Sequence, residues 1–467
     1  MKAELKKIKF QSISEKAELI IAVVLFILML VNCGRYIDIR INGRSNSLSP
    51  MPENDKRILL QISSGTLPAK SSDLICPIFA GFKTSVGAYA ASFEEEPQTA
   101  MRNAAMTYIP KLFSGRTENV KFDSEQDRNE YIENLKNAES YILLSYFSDI
   151  PAAAFLPSVS GYAGSPSSEM YFNVQNLYIL PDKNQNAVGI AVSSELDVNI
   201  IYPSENVTFN VKELEAYNSS TGFVAFEYAK DPNIIPVFSQ TLKVRKYRIE
   251  TALQKNGKQT DSIWIKNTLD AFGLNINLAK TFVTRDGSVI NYVDGENELL
   301  FYQNGNTVFN TSGEGIELSE FLGYKNSEVG EYSFAQKISA VKNLVNLLPI
   351  GNDAAKLCLT SVKYDYSSGF LTVGLKYFAN GVVVTQNDYD ASFVIGKKHL
   401  VYAMYSSLCC TAVNAYSDCM PQKYAVFLSG VEENALIYAL LTPDEEAGED
   451  IYKAIWAFKS IKSDGQE

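Results

Sequence analysis

The sequence predicts an α+β protein in which an N-terminal single transmembrane helix precedes a multi-domain extracellular region of antiparallel sheets, each packed with one or a few helices. Three observations lead there. An uninterrupted apolar run at 19–31 follows a lysine-rich tail. Short β-branched and aromatic stretches recur between Asp-Gly and Asn-Gly pairs, and apolar residues at three-and-four spacing mark helices ahead of them.

Composition sets the outer bounds. The 467 residues are 46% hydrophobic and 20% charged, which supplies a large core and excludes wholesale disorder. A balance of 42 basic against 53 acidic residues, net −11, argues against a nucleic-acid partner. His399 is the single histidine, which removes a Ser-His-Asp relay, a multi-histidine zinc site and a histidine acid/base pair. The chain reads as no enzyme.

At the N-terminus, Lys2, Lys6, Lys7, Lys9 and Lys16 precede the apolar run, and Arg35, Tyr36 and Arg40 form an interfacial collar after it. Three readings stand: an uncleaved signal anchor over 17–33, a lipoprotein signal at Leu30-Val31-Asn32-Cys33, and cleavage further downstream. The anchor is preferred, because no small-x-small cleavage site follows and Asn32 stands where a lipobox has a small residue. The lysine bias leaves 1–16 in the cytoplasm and the bulk outside the cell.

From this the sequence divides into a cytoplasmic basic tail (1–16), a transmembrane signal anchor (17–33), a juxtamembrane stalk (34–75), an N-terminal α+β domain (76–240), a middle antiparallel β domain with a short helix (241–325), and a C-terminal helix-plus-meander domain with an acidic tail (326–467). In the first domain, Met101, Ala104, Ala105, Tyr108 and Leu112 share one face of a helix over 97–113. A second helix, 123–137, opens with Asp123 and Gln126 at capping-box spacing. A strand at 140–147 closes at Asp149-Ile150-Pro151, strands follow at 170–180, 188–192 and 199–202, and 161–168 is a loop.

The middle region pairs a helix at 261–272, stopped by Gly273, with strands separated by Asp286-Gly287, Asp294-Gly295 and Asn304-Gly305, which predict type I′ hairpin turns. The last region repeats that logic. Ser333 and Gln336 have capping-box spacing, and Phe334, Ile338, Val341, Leu344, Val345 and Leu348 form one apolar stripe ending at Pro349, with Lys342 assigned to the opposite, solvent face. Strands at 357–366, 370–378, 382–385, 391–395 and 400–406 follow, so the two regions read as distant structural repeats.

This order of elements resembles the YycH/YycI family, single-pass membrane proteins of low-GC Gram-positive bacteria that act on the WalK (YycG) sensor histidine kinase. The resemblance rests on the basic tail with one anchor, on the strand 141–147 followed by Ser148-Asp149-Ile150-Pro151, and on the run 269–310 with its short helix and "Tyr-x-Asp-Gly" element. It implies a non-enzymatic regulator of cell-wall metabolism whose anchor and outer domains contact the membrane-bound kinase and a sister regulator. It carries over no catalytic, cofactor-binding or metal residues. The acidic C-terminal end has no family counterpart.

Candidate chemistry is weak throughout. Ser339-Ala340-Val341-Lys342 matches the Ser-x-x-Lys pattern, but it lies on an amphipathic helix with no Ser-Asp-Asn element after it, and Lys83-Thr84-Ser85 stands on the wrong side in sequence. No carboxylate pair stands in a setting that marks a glycosidase. Glu94-Glu95-Glu96 and Asp444-Glu445-Glu446 with Glu449-Asp450 are charge runs of the kind that either bind a cation or face solvent, and solvent is the reading taken. Cys33, Cys76, Cys358, Cys409, Cys410 and Cys419 are too thinly spread for a disulfide framework, and the Cys409-Cys410 pair reads as buried small hydrophobes. Tyr402, Tyr405, Tyr416 and Tyr424 are candidates for an interface. The alternatives to a kinase regulator are an extracellular ligand- or peptidoglycan-binding ectodomain and an exported hydrolase.

Overall fold

Period-two apolar alternation is realised as two large, mainly antiparallel sheets. The computed structural model describes residues 73–159, 170–228, 236–251, 263–323, 330–349, 354–422, 424–425, 435–447 and 450–460. The anchor stretch 17–33 and the loop 161–168 lie outside them. Among the described residues no helix is long and apolar enough to cross a membrane.

The first sheet contains β1 (Phe79–Thr84), β2 (Gly87–Ala91), β3 (Arg116–Val120), β4 (Tyr141–Pro151), β5 (Asn173–Pro181), β6 (Ala187–Val192), β7 (Val198–Tyr202), β8 (Phe223–Glu227) and β9 (Val237–Phe238). Their order is β3-β7-β6-β5-β4-β1-β2-β8-β9. Central β4 is buried on both faces from Tyr141 to Tyr146, whereas edge β3 (RTENV) is mostly exposed and charged, which blunts an open edge. The sheet carries α1 (Glu95–Met106), α2 (Ile109–Phe113), α3 (Glu125–Lys136), α4 (Phe155–Ser158) and α5 (Val211–Tyr217). The single helix expected over 97–113 is thus two, since Pro110 has no N–H to donate and its ring crowds the turn before it. The cap of α3 is also shifted by one residue: Ser124, not Asp123, accepts from the Asp127 N–H.

The second sheet contains β10 (Leu242–Thr251), β11 (Lys280–Val283), β12 (Val289–Asp294), β13 (Asn297–Tyr302), β14 (Asn306–Thr311), β15 (Ile316–Glu317), β16 (Lys356–Asp365) and β17 (Phe370–Ala379). It continues through β18 (Val382–Val383), β19 (Ala391–Ile395), β20 (His399–Ser406), β21 (Leu408–Cys419), β22 (Ala435–Pro443) and β23 (Ile451–Ser460). Helices α6 (Ile263–Ala271), α7 (Ser319–Leu322) and α8 (Phe334–Leu347) belong to this part of the chain. Helix α6 leads into the meander β11-β12-β13-β14, and α8 leads into β16-β17-β19-β20. The two meanders meet at their last strands, where Val308 pairs with Met404 in an antiparallel register, so the strands of 241–325 and 326–467 share one sheet. Residues 408–460, where the sequence reading places no strand, contain β21 to β23, and β10 inserts between β23 and β21.

Turn chemistry departs from expectation at three places. At the Asp-Gly and Asn-Gly pairs 286–287, 294–295 and 304–305, only the glycine has positive φ, so these are not type I′ turns. Gly295 takes the first position of a two-residue loop, as type II′ requires, and Gly287 and Gly305 close turns onto the Thr284 and Tyr302 carbonyls at 2.8 and 3.0 Å. Asn380-Gly381, between β17 and β18, has both residues left-handed, at 51° and 89°.

Helix α8 carries the expected capping box, with Ser333 accepting from Gln336 N–H and the Gln336 side chain accepting from Ser333 N–H at 2.8 Å. Lys342, however, is not on a solvent face. It is 5% exposed and donates to the Val159 carbonyl at 3.0 Å, because α4 and the turn before it pack on that side of α8.

A short segment joins the sheets. Leu74 N–H donates to Ser158 O (3.0 Å), the Leu74 carbonyl accepts from Leu359 N–H of β16 (2.6 Å), and Ile78 N–H donates to Ser145 O (2.8 Å). Cys76 and Cys358 form a disulfide with a Cα–Cα distance of 5.7 Å, a bridge the sequence reading did not anticipate. In β4 the pairing with β5 is interrupted between Ser145 and Ile150. Within that excursion Phe147 packs edge-on against Phe378 and Tyr438, and the Ser148 hydroxyl donates to the Thr360 carbonyl.

Candidate functional site

The start of α1, the Asn380-Gly381 turn, β10 and the head of β16 enclose a cleft of about 680 Å³ beside the Cys76–Cys358 bridge. Helix α1 presents Glu95, Gln98, Thr99 and Arg102 to it, positions i, i+3, i+4 and i+7, which fall on one helical face. The helix is anchored from behind by Met101, Ala104 and Ala105, so this polar face is fixed in place by its own core stripe. Gln98 donates to the Ala91 and Ser92 carbonyls, at 3.3 and 3.1 Å. A Cβ on Gly381 would stand 3.3 Å from both the Ile78 carbonyl and the Phe93 ring, so a glycine lets the turn seat against this wall.

Charge is the cleft's second property. Glu94, Glu95 and Glu96 line it together with Arg102, Arg245 and Lys356, yet among the described residues no ion pair joins any of these acids to any of these bases. Arg245 is held elsewhere: its guanidinium donates to the Tyr416 hydroxyl at 2.9 Å and lies over that ring, which raises its pKa. The Lys356 ammonium is pushed below its ordinary pKa, first by desolvation and then by Arg102. Tyr247 forms part of the lining and is 1% exposed. Burial raises its pKa to about 12, with the neighbouring Asn380 side chain opposing.

Of the residues singled out in the sequence, Glu94-Glu95-Glu96 and Cys76 reach this cleft. Asp444 is used up structurally, bound by Lys246 at 2.6 Å and Lys453 at 3.2 Å, which lower its pKa. Among the described residues no group of His, Cys, Asp and Glu has an arrangement that would hold a metal ion. Lys342 turns to Val159 and Lys83 donates to the Lys136 carbonyl, so neither addresses a serine nucleophile. His399 lies 3.5 Å from exposed Glu314. Cys409, Cys410 and Cys419 are buried outside any disulfide, and burial pushes the Cys410 and Cys419 thiols up to about 12 and about 11. Of the four tyrosines, Tyr405 is fully buried and donates to Thr268, while Tyr416 and Tyr424 are exposed. Sequence reasoning passed over Arg102, Arg245, Tyr247 and Lys356. The one available signal was Arg102, seven residues after Glu95 on a helix whose opposite face was already assigned.

No protein-family model matches the sequence, and no curated protein does. Among solved structures, one of an uncharacterized protein from Eubacterium rectale ATCC 33656 aligns with a TM-score of 0.32 at 10% identity, covering 49% of this chain and 81% of that one. The crystal structure of YycH from Bacillus subtilis aligns with a TM-score of 0.53 over 85% of this chain and 96% of that one, at 10% identity. The fold of this chain is therefore similar to that of YycH over nearly the whole of that protein.

Proposed function

We propose that the chain is a non-enzymatic, membrane-anchored regulator whose transmembrane helix and extracellular domains modulate a two-component sensor histidine kinase controlling cell-wall metabolism. The observation that carries this is the YycH-like fold across 85% of the chain, taken with the basic tail and apolar run that precede it. The Cys76–Cys358 bridge supports export, since disulfides persist in oxidising compartments. On this reading 1–16 is cytoplasmic, 17–33 spans the membrane, 34–75 is a stalk, and the divisions 76–240, 241–325 and 326–467 are the outer domains.

Two measurements test it. Protease added to intact protoplasts is expected to remove the outer region and spare a tag placed before Lys2; protection of the outer region overturns the topology. Replacing 19–31 by an unrelated apolar span is expected to abolish regulation of the co-expressed kinase while insertion and folding persist, because helix contacts in a membrane depend on shape as well as hydrophobicity. Kinase output that ignores deletion of the entire chain overturns the regulator reading. A second reading, a ligand-binding ectodomain without a kinase partner, is favoured by one observation, the charged cleft beside β10.

A further inference from the structure

Three acids and three bases surround the cleft without pairing to one another, so a purely anionic ligand meets Glu94, Glu95 and Glu96, and a purely cationic one meets Arg102, Arg245 and Lys356. A ligand carrying both charges satisfies both sets. Its span is fixed by the helix. Glu95 and Arg102 stand seven residues apart on one face, about 10 Å along the axis at roughly 1.5 Å per residue. An extended peptide covers about 3.3–3.6 Å per residue, so three residues place a terminal ammonium and a terminal carboxylate at that separation. The cleft's volume, about 680 Å³, lies within the roughly 300–1,000 Å³ of small-molecule sites.

We propose that the cleft binds a short extended peptide with free ends, about three residues long, its carboxylate between Arg102 and Lys356 and its ammonium toward Glu95 and Glu96. Among the described residues neither Arg102 nor Lys356 has an acid partner within ion-pair distance, which leaves both cations for a ligand carboxylate. The inference does not depend on a kinase partner.

The test is calorimetric titration of the full-length chain in lipid nanodiscs, with empty nanodiscs as control. Trialanine is the probe, and N-acetyl-trialanine, trialanine amide and free alanine are the comparisons. Trialanine is expected to bind saturably, and each of the other three at least tenfold more weakly. Arg102→Gln is expected to weaken trialanine at least tenfold while leaving the amide at its already weak level, and Glu95→Gln to do the same with respect to the acetylated peptide. Both variants should keep the wild-type thermal midpoint, since both side chains are at least partly exposed. Equal binding of trialanine and its blocked forms, absence of saturable binding, or Arg102→Gln weakening the amide as much as trialanine each overturns the proposal. None of these outcomes bears on kinase regulation, which the protoplast and span-replacement measurements address separately.

Discussion

Replacing Cys76 and Cys358 by serine is expected to lower the stability of the outer region by about 2–5 kcal/mol, the range for loss of a native disulfide. The bridge connects residues 282 apart in sequence, so it removes a long loop from the unfolded ensemble, and the chain-entropy estimate grows with the logarithm of that length. Its position amplifies the local consequence. Cys76 lies between Leu74, which is paired with β16, and Ile78, which is paired with β4, and Cys358 is the neighbour of Leu359. Denaturant unfolding with and without reductant reads the global term. Hydrogen exchange reads the local one: the Leu359 and Ile78 amides should lose protection on reduction well before those of Leu143 and Leu177 in the centre of the first sheet. An unfolding midpoint indifferent to reductant would show that the backbone bonds around Leu74, with the Phe147 cluster, already hold the sheets together.

Local devices were legible in the sequence and contacts across the fold were not. The Ser333/Gln336 capping box, the Gly273 stop and the strands around Asn380-Gly381 each depend on residues within a few positions of one another, so propensity and turn chemistry suffice. The strands β21 and β23 escaped because their exposed faces carry Asn414, Asp418, Lys453 and Lys459, which dilute the apolar signal while Cys410, Cys419 and Ala454 fill the core. The disulfide partners and the cleft residues come from separate strands and helices, and nothing in the spacing of Arg102, Arg245 and Lys356 announces that α1, β10 and β16 converge. Lys342 was misplaced for a related reason. One apolar stripe predicts one covered face, but α4, which follows β4 of the first sheet in sequence, covers a second.

That second face sets the expectation for α8. Leu344 is fully buried in the stripe with Ile338 and Val341, so Leu344→Ala should cost about 2–5 kcal/mol, as large-to-small changes in packed cores do. Lys342→Met keeps an apolar stem of similar length and removes the ammonium that serves the Val159 carbonyl, so it should cost about 1–3 kcal/mol through the orphaned acceptor. The two are separable by pH. Desolvation lowers the Lys342 pKa below 10.5, with Asp73 opposing, so the unfolded chain holds this proton more tightly than the native one. Stability contributed at this site therefore rises with pH across the window between the lowered value and 10.5, where the native ammonium no longer pays its desolvation. Wild type should gain on Lys342→Met through that window, and Leu344→Ala should run parallel to wild type. If Leu344→Ala leaves the unfolding midpoint untouched and instead weakens a partner's binding, the stripe is an interface and α8 does not hold the second sheet to the first.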